Sequence, residues 1–128
     1  MHKACNLYAH ITWCTWRRTH AIRRADLSTL ASAVNDAAGR SGVHIHAFAA
    51  LKDHVHLIVS NLPNVALADF IRDAKSESSR RINQRRAGEG EVRWGRGYYA
   101  GSLSDSHVTA ARNYVGGQYK RHPLLIPE

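Results

Sequence analysis

Apolar and polar positions alternate along residues 5–14, with Leu7, Ala9, Ile11 and Trp13 on one side, and this two-residue period predicts a first β-strand. Over residues 26–39 the period lengthens. Leu27, Leu30, Ala31, Val34, Ala37 and Ala38 form a helical stripe, with Asp26 as its N-cap and Gly39 as its stop. Alternation returns over residues 43–51: Val43, Ile45, Ala47, Ala49 and Leu51 share one face, and His44, His46 and Phe48 the other. Lys52-Asp53 then reads as a tight connection into a strand over residues 54–60. If that loop has two residues, Ala49 stands opposite His56 and Ala47 opposite Ile58. His44 and His46 then turn to the far face, beside Val55, Leu57 and Val59.

Asn64 can cap a second helix with the stripe Leu67, Phe70, Ile71, Ala74, Ser78 and Ile82. Residues 87–90 read as a loop. Residues 92–100 read as an irregular strand whose glycines imply bulges or close backbone approach. Ser104 or Ser106 can cap a last helix running through Val108, Ala111, Val115 and Tyr119. The 128 residues read as one domain spanning 1–128, without internal repeats.

Charge adds a partner to this outline. Lys and Arg number 18 against 10 Asp and Glu, a formal net of +8, which favours an anionic ligand, nucleic acid first. Arg17 and Arg18 suit phosphates, with Trp16 beside them as a stacking platform for an unpaired base. Along the second helix Lys75, Arg80, Arg81, Arg85 and Arg86 suit phosphate contacts that position a strand without reading it. The chain lacks a long apolar run and the shape of a signal peptide, so neither membrane insertion nor export is expected. Cys5 and Cys14 fall on opposite faces of one strand and are not expected to bridge, which suits a reducing cytoplasm.

The candidate chemistry lies in two places. On a strand, His54 and His56 project to the same face, about 6–7 Å apart along the backbone, where two imidazoles can share one metal ion. On the last helix, Tyr114 and Gln118 lie one turn apart on one face. Between them Gly116 and Gly117 each cost the helix about 1 kcal/mol relative to Ala.

Taken together, Lys52-Asp53-His54-Val55-His56-Leu57 and Tyr114-Val115-Gly116-Gly117-Gln118 resemble the two signatures of the single-tyrosine HUH transposases, which include relatives tied to repeated extragenic palindromes. The likeness covers roughly residues 5–122, with Gly116-Gly117 replacing bulkier residues. It implies an α+β, ferredoxin-like antiparallel sheet with packed helices. It implies His54, His56 and Gln118 as ligands of Mg²⁺ or Mn²⁺, and Tyr114 as the nucleophile that forms a 5′-phosphotyrosine with single-stranded or hairpin DNA. It also implies a homodimer, in which we expect the tyrosine helix to act in trans. The same basic helix would serve a ferredoxin-like DNA-binding protein without catalysis, and Tyr98, Tyr99 and Tyr119 are rival nucleophiles.

Overall fold

A computed structural model describes residues 6–128. Cys5 therefore lies outside the described residues. Strands β1 (Leu7–Cys14), β2 (Val43–Ala50), β3 (His54–Asn61) and β4 (Tyr99–Leu103) form one antiparallel sheet in the order β2-β3-β1-β4. Helix α1 (Leu27–Ser41) joins β1 to β2, and α2 (Leu67–Arg86) joins β3 to β4. This β-α-β-β-α-β order is ferredoxin-like. Two further helices follow, α3 (Val108–Gly116) and α4 (Gln118–Arg121).

The alternation in β1 sorts the two sides of the sheet. Ile11 and Trp13 join Val55, Leu57 and Val59 of β3 in the main core, against Leu30 and Val34 of α1 and Phe70, Ile71 and Ile82 of α2. Each such side chain contributes about 1.5–3 kcal/mol on burial. The other side is covered more thinly: Val115 of α3 meets Ala49 and Ile58, with Ala47, Leu103, Ala111 and Tyr119 around them.

The hairpin expectation holds near the turn. The Leu51 N–H donates to the His54 carbonyl at 2.8 Å, and Ala49 and Ala47 face His56 and Ile58. Beyond Ala47 the register changes, because a bulge at His46 sets Ile45 opposite Val59 and His44 opposite Ser60. The extra residue turns Val43 and Ile45 into the main core. It also corrects the placement of the second His pair, since His46 comes round to bond Ser60 Oγ at 2.7 Å on the α3 side.

Three boundaries also differ from expectation. Helix α1 runs past Gly39 and ends at Gly42, whose φ of 72° supplies the left-handed cap. Asp26 does not cap it through its side chain. Its carboxylate accepts the Arg23 N–H at 2.8 Å and receives the guanidinium groups of Arg85 and Arg86. Helix α2 starts after Ala66, because Asn64 is held in a turn closed from Val65 N–H to the Leu62 carbonyl.

The predicted strand over 92–100 is mostly a loop laid along α2, and β4 begins only at Tyr99. Side chains of α2 fix that loop. Asn83 bonds both the N–H (2.7 Å) and the carbonyl (3.0 Å) of Val92, and Lys75 Nζ donates to the carbonyls of Gly95 (2.8 Å) and Gly97 (2.9 Å). Trp94 donates its indole N–H to Ser78, which explains a serine inside an apolar stripe.

Candidate active site

Strand β3 enters the sheet at His54, and its pleat sets His54 and His56 on the α3 side with ring centroids 4.8 Å apart. His54 donates its Nδ1–H to Asp53 Oδ1 at 2.6 Å, since a carboxylate can only accept. Burial pushes the Asp53 carboxyl up, but the His54 bond and the Arg18 charge outweigh it and hold it below the usual range. Arg18 Nε reaches Asp53 Oδ2 at 3.3 Å. Arg17 and Arg18 adopt left-handed backbone at φ 55° and 57°, a costly conformation for two successive non-glycine residues that aims Arg18 at the carboxylate.

His56 is buried. Its Nδ1 shares a hydrogen bond with His10 Nε2 at 3.0 Å, while its Nε2 is buried without a partner among the described residues. Burial, then the neighbouring imidazoles of His54, His10 and His122, lower its pKa to about 4. Burial lowers that of His10 as well.

Helix α3 brings Tyr114 over this pair, its ring 6.0 Å from those of both His56 and His10. The Tyr114 side is 39% exposed, open enough to meet a polymer. Arg121 lies over the same ring, its guanidinium carbon 4.8 Å from the centroid. Gln118 is buried, and its Nε2 donates to the Tyr114 carbonyl at 3.2 Å. The helix breaks at Gly117 between them, where Gly117 N–H closes on the Asn113 carbonyl. Tyr114 thus stands beside the His56 of its own chain.

The rival tyrosines occupy other stations. The Tyr119 hydroxyl accepts the Ala50 N–H at 3.1 Å, tying α4 to β2. Tyr99 stands edge-on to His10 at 6.2 Å. Tyr98 lines a groove of about 630 Å³ between α2 and the 91–98 loop, away from the His pair, with Ile71, Lys75, Val92, Arg93 and Trp94.

The basic residues divide. Arg86 is buried and donates to Asp26 and to the Ala21 carbonyl, and Arg85 also binds Asp26. Arg81 bridges Asp36 and Glu77. Lys75 is spent on two carbonyls, and burial lowers its pKa despite the opposing effect of Cys14. The expectation that the whole set faces DNA is therefore corrected for Arg86, whose position on the apolar stripe carries it into the core. Arg17 and Arg80 are exposed, Arg80 only 3.8 Å from Glu77 at its nearest. His10 and Arg121 were not singled out from the sequence. The polar face of β1 (Tyr8, His10, Thr12, Cys14) pointed to His10 once β1 was known to flank β3.

Among the described residues no three His, Cys, Asp or Glu side chains are grouped to hold a metal ion. The sequence-predicted donors are His54 and His56 of β3 and Gln118, the first residue of α4. The two histidines fit a divalent ion, because the His56 Nε2 has no partner among the described residues and Asp53 leaves the His54 Nε2 lone pair free.

A ferredoxin-like sheet with a paired-histidine strand facing a tyrosine helix defines a class, and the chain belongs to the IS200-like transposase family, whose profile matches residues 3–118. It is 30% identical over 73 residues to the ISDra2 transposase TnpA of Deinococcus radiodurans, 57% of this chain and 52% of that protein, so the match spans about half of the relative's length. In fold it is similar to a candidate transposase from D. radiodurans R1 (TM-score 0.69, 22% identity, 92% of this chain and 95% of that one). It is similar too to a REP-associated tyrosine transposase solved with a REP hairpin (TM-score 0.68, 14% identity, 94% of this chain and 70% of that one). No helix among the described residues is long and apolar enough to cross a membrane.

Proposed function

We propose that this transposase cleaves and rejoins single-stranded DNA, hairpin-bearing DNA included, through a covalent bond to Tyr114. The observation that carries the reading is the meeting of Tyr114 with His56 and the orphaned Nε2 of that histidine. Tyr114 gives up its hydroxyl proton and its oxygen attacks phosphorus, a P–O bond forms to tyrosine as the bond from phosphorus to the 3′-oxygen breaks, and the departing 3′-oxygen takes up a proton. The phosphodiester energy is kept in the phosphotyrosine, so an incoming 3′-hydroxyl reverses the step and joins strands without a nucleotide cofactor.

His54, His56 and Gln118 would hold Mg²⁺ or Mn²⁺, which when bound polarises a phosphate oxygen as a Lewis acid. Asp53 and His10 orient the two rings. Arg121 over Tyr114 sets a cation beside the point where phosphate charge grows, the kind of preorganised charge that stabilises such a transition state. Arg17 and Arg80 supply phosphate contacts along the strand.

A homodimer belongs to this reading, as does its form with the tyrosine helix in trans. One observation favours exchange: α3 and α4 pack through a small cluster separate from the main core, so leaving it forfeits little burial. The test of the reading is incubation with labelled single-stranded flanks of the protein's own gene and Mn²⁺. An adduct that survives SDS and is lost in Tyr114→Phe is expected. Cleavage without an adduct, or an adduct unchanged in Tyr114→Phe, would overturn it.

A further inference from the structure

We propose that His10 is a positioning residue for strand cleavage: it fixes the His56 ring so that Nε2 is the nitrogen left to bind the metal. The inference rests on the proposed metal site. It begins from the ring nitrogens. A neutral imidazole carries one hydrogen, and a ligand nitrogen must offer its lone pair, so the hydrogen of a ligating histidine belongs on the other nitrogen. For His54 the choice is made by Asp53, which accepts from Nδ1.

Among the described residues no carboxylate bonds His56. Its Nδ1 meets His10 Nε2 at 3.0 Å, and the nitrogen so left over is the buried, partnerless Nε2. Both histidines are thus held through Nδ1, one by an anion and one by a neutral ring. With His56 ligating, His56 Nδ1–H donates to the lone pair of His10 Nε2, and His10 keeps its own hydrogen on Nδ1.

The surroundings of His10 suit the task. Cross-strand pairing sets it opposite Ile58 on β3 and Gly101 on β4. Its ring lies nearly parallel to that of His56, with 23° between the planes and centroids 5.2 Å apart, and the rings of Tyr99 and Tyr114 stand edge-on to it. The absence of a Cβ at Gly101 leaves the space the Tyr99 ring occupies. A ring held on three sides has little freedom to swing away from His56, and an outer partner that cannot swing fixes its ligand.

The test compares Mn²⁺ affinity of the full chain, by titration followed with electron paramagnetic resonance, for four proteins. His56→Ala should lose the site. His10→Phe keeps the ring shape without an acceptor and should bind Mn²⁺ about 10–100-fold more weakly. His10→Gln, whose amide oxygen accepts, should recover affinity to within a few-fold of wild type. A folded His10→Phe chain that binds like wild type overturns the inference while leaving the metal site standing. A wild-type chain whose Mn²⁺ binding ignores His56→Ala overturns the site and the inference together. Should His10→Phe not fold, nitrogen NMR of the wild-type imidazoles in Mg²⁺ decides: hydrogen on His56 Nδ1 supports the inference, and hydrogen on Nε2 overturns it.

Discussion

Arg86 and Asp26 form an ion pair across the sequence with both side chains buried, 3% and 0% exposed. Replacing Arg86 leaves the buried Asp26 carboxylate with only the Arg23 N–H and the more exposed Arg85 to offset its charge. Arg86→Gln should therefore cost about 2–3 kcal/mol in urea unfolding, less than the loss of a sole partner would. A loss below about 1 kcal/mol would mean that water reaches the pair and that Arg86 belongs with the surface cations.

Exposed cations should behave differently. Arg17→Gln with Arg80→Gln should leave stability within about 0.5 kcal/mol and weaken DNA binding across sequences. The slope of log affinity against log salt should become shallower by about 2. An unchanged slope would make both residues ordinary surface.

The tyrosines can be told apart by stability as well as by chemistry. Tyr114→Phe should unfold within about 0.5 kcal/mol of wild type and form no adduct. Tyr119→Phe should keep the adduct and lose about 1–2 kcal/mol, because the Ala50 N–H loses its acceptor. The reverse pattern would move the nucleophile to α4.

Acid should destabilise the protein through the site. His56 titrates near its ordinary 6.5 when unfolded and at about 4 when folded, so the unfolded chain binds the proton more tightly. Its contribution, up to about 3 kcal/mol, is whole above pH 6.5 and is lost as the pH falls toward 4. His10 and His46, also lowered by burial, act in the same direction. Urea midpoints across that window should fall in wild type and fall less in His56→Gln. Parallel curves would show that His56 is not the group responsible.

Mixed pairs of the proposed homodimer decide which chain supplies the tyrosine. A His54→Ala, His56→Ala chain paired with a Tyr114→Phe chain should recover about half of wild-type cleavage if α3 acts in trans, since one of two sites is whole. In cis every site is damaged. Inactive heterodimers, with pairing verified, would restrict the reaction to the arrangement in which Tyr114 serves its own His56.

Much of this site was legible because a two-residue period fixes side: His54 and His56 had to share a face once β3 was a strand, and the loop at 52–53 had to set Ala49 against His56. What escaped notice came from residues brought together over long separations. His10 meets His56 only because β1 lies beside β3, and strand order is not written in periodicity. Arg86 looked like surface charge, although it continues the stripe from Ile82 by one turn, and only Asp26 explains it there. The same limit hid the course of residues 92–98, which Asn83 and Lys75 dictate from another element.

The bulge gives β2 a spare residue. Every cross-strand pair from Val43 with Asn61 to Ala50 with Val55 is satisfied without His46. Excising His46 would straighten the ladder and keep each remaining side chain on its present side, at the loss of the Ser60 bond. In a strand otherwise intolerant of any change in length, this is the place where a chain could lose one residue and still assemble the same histidine face.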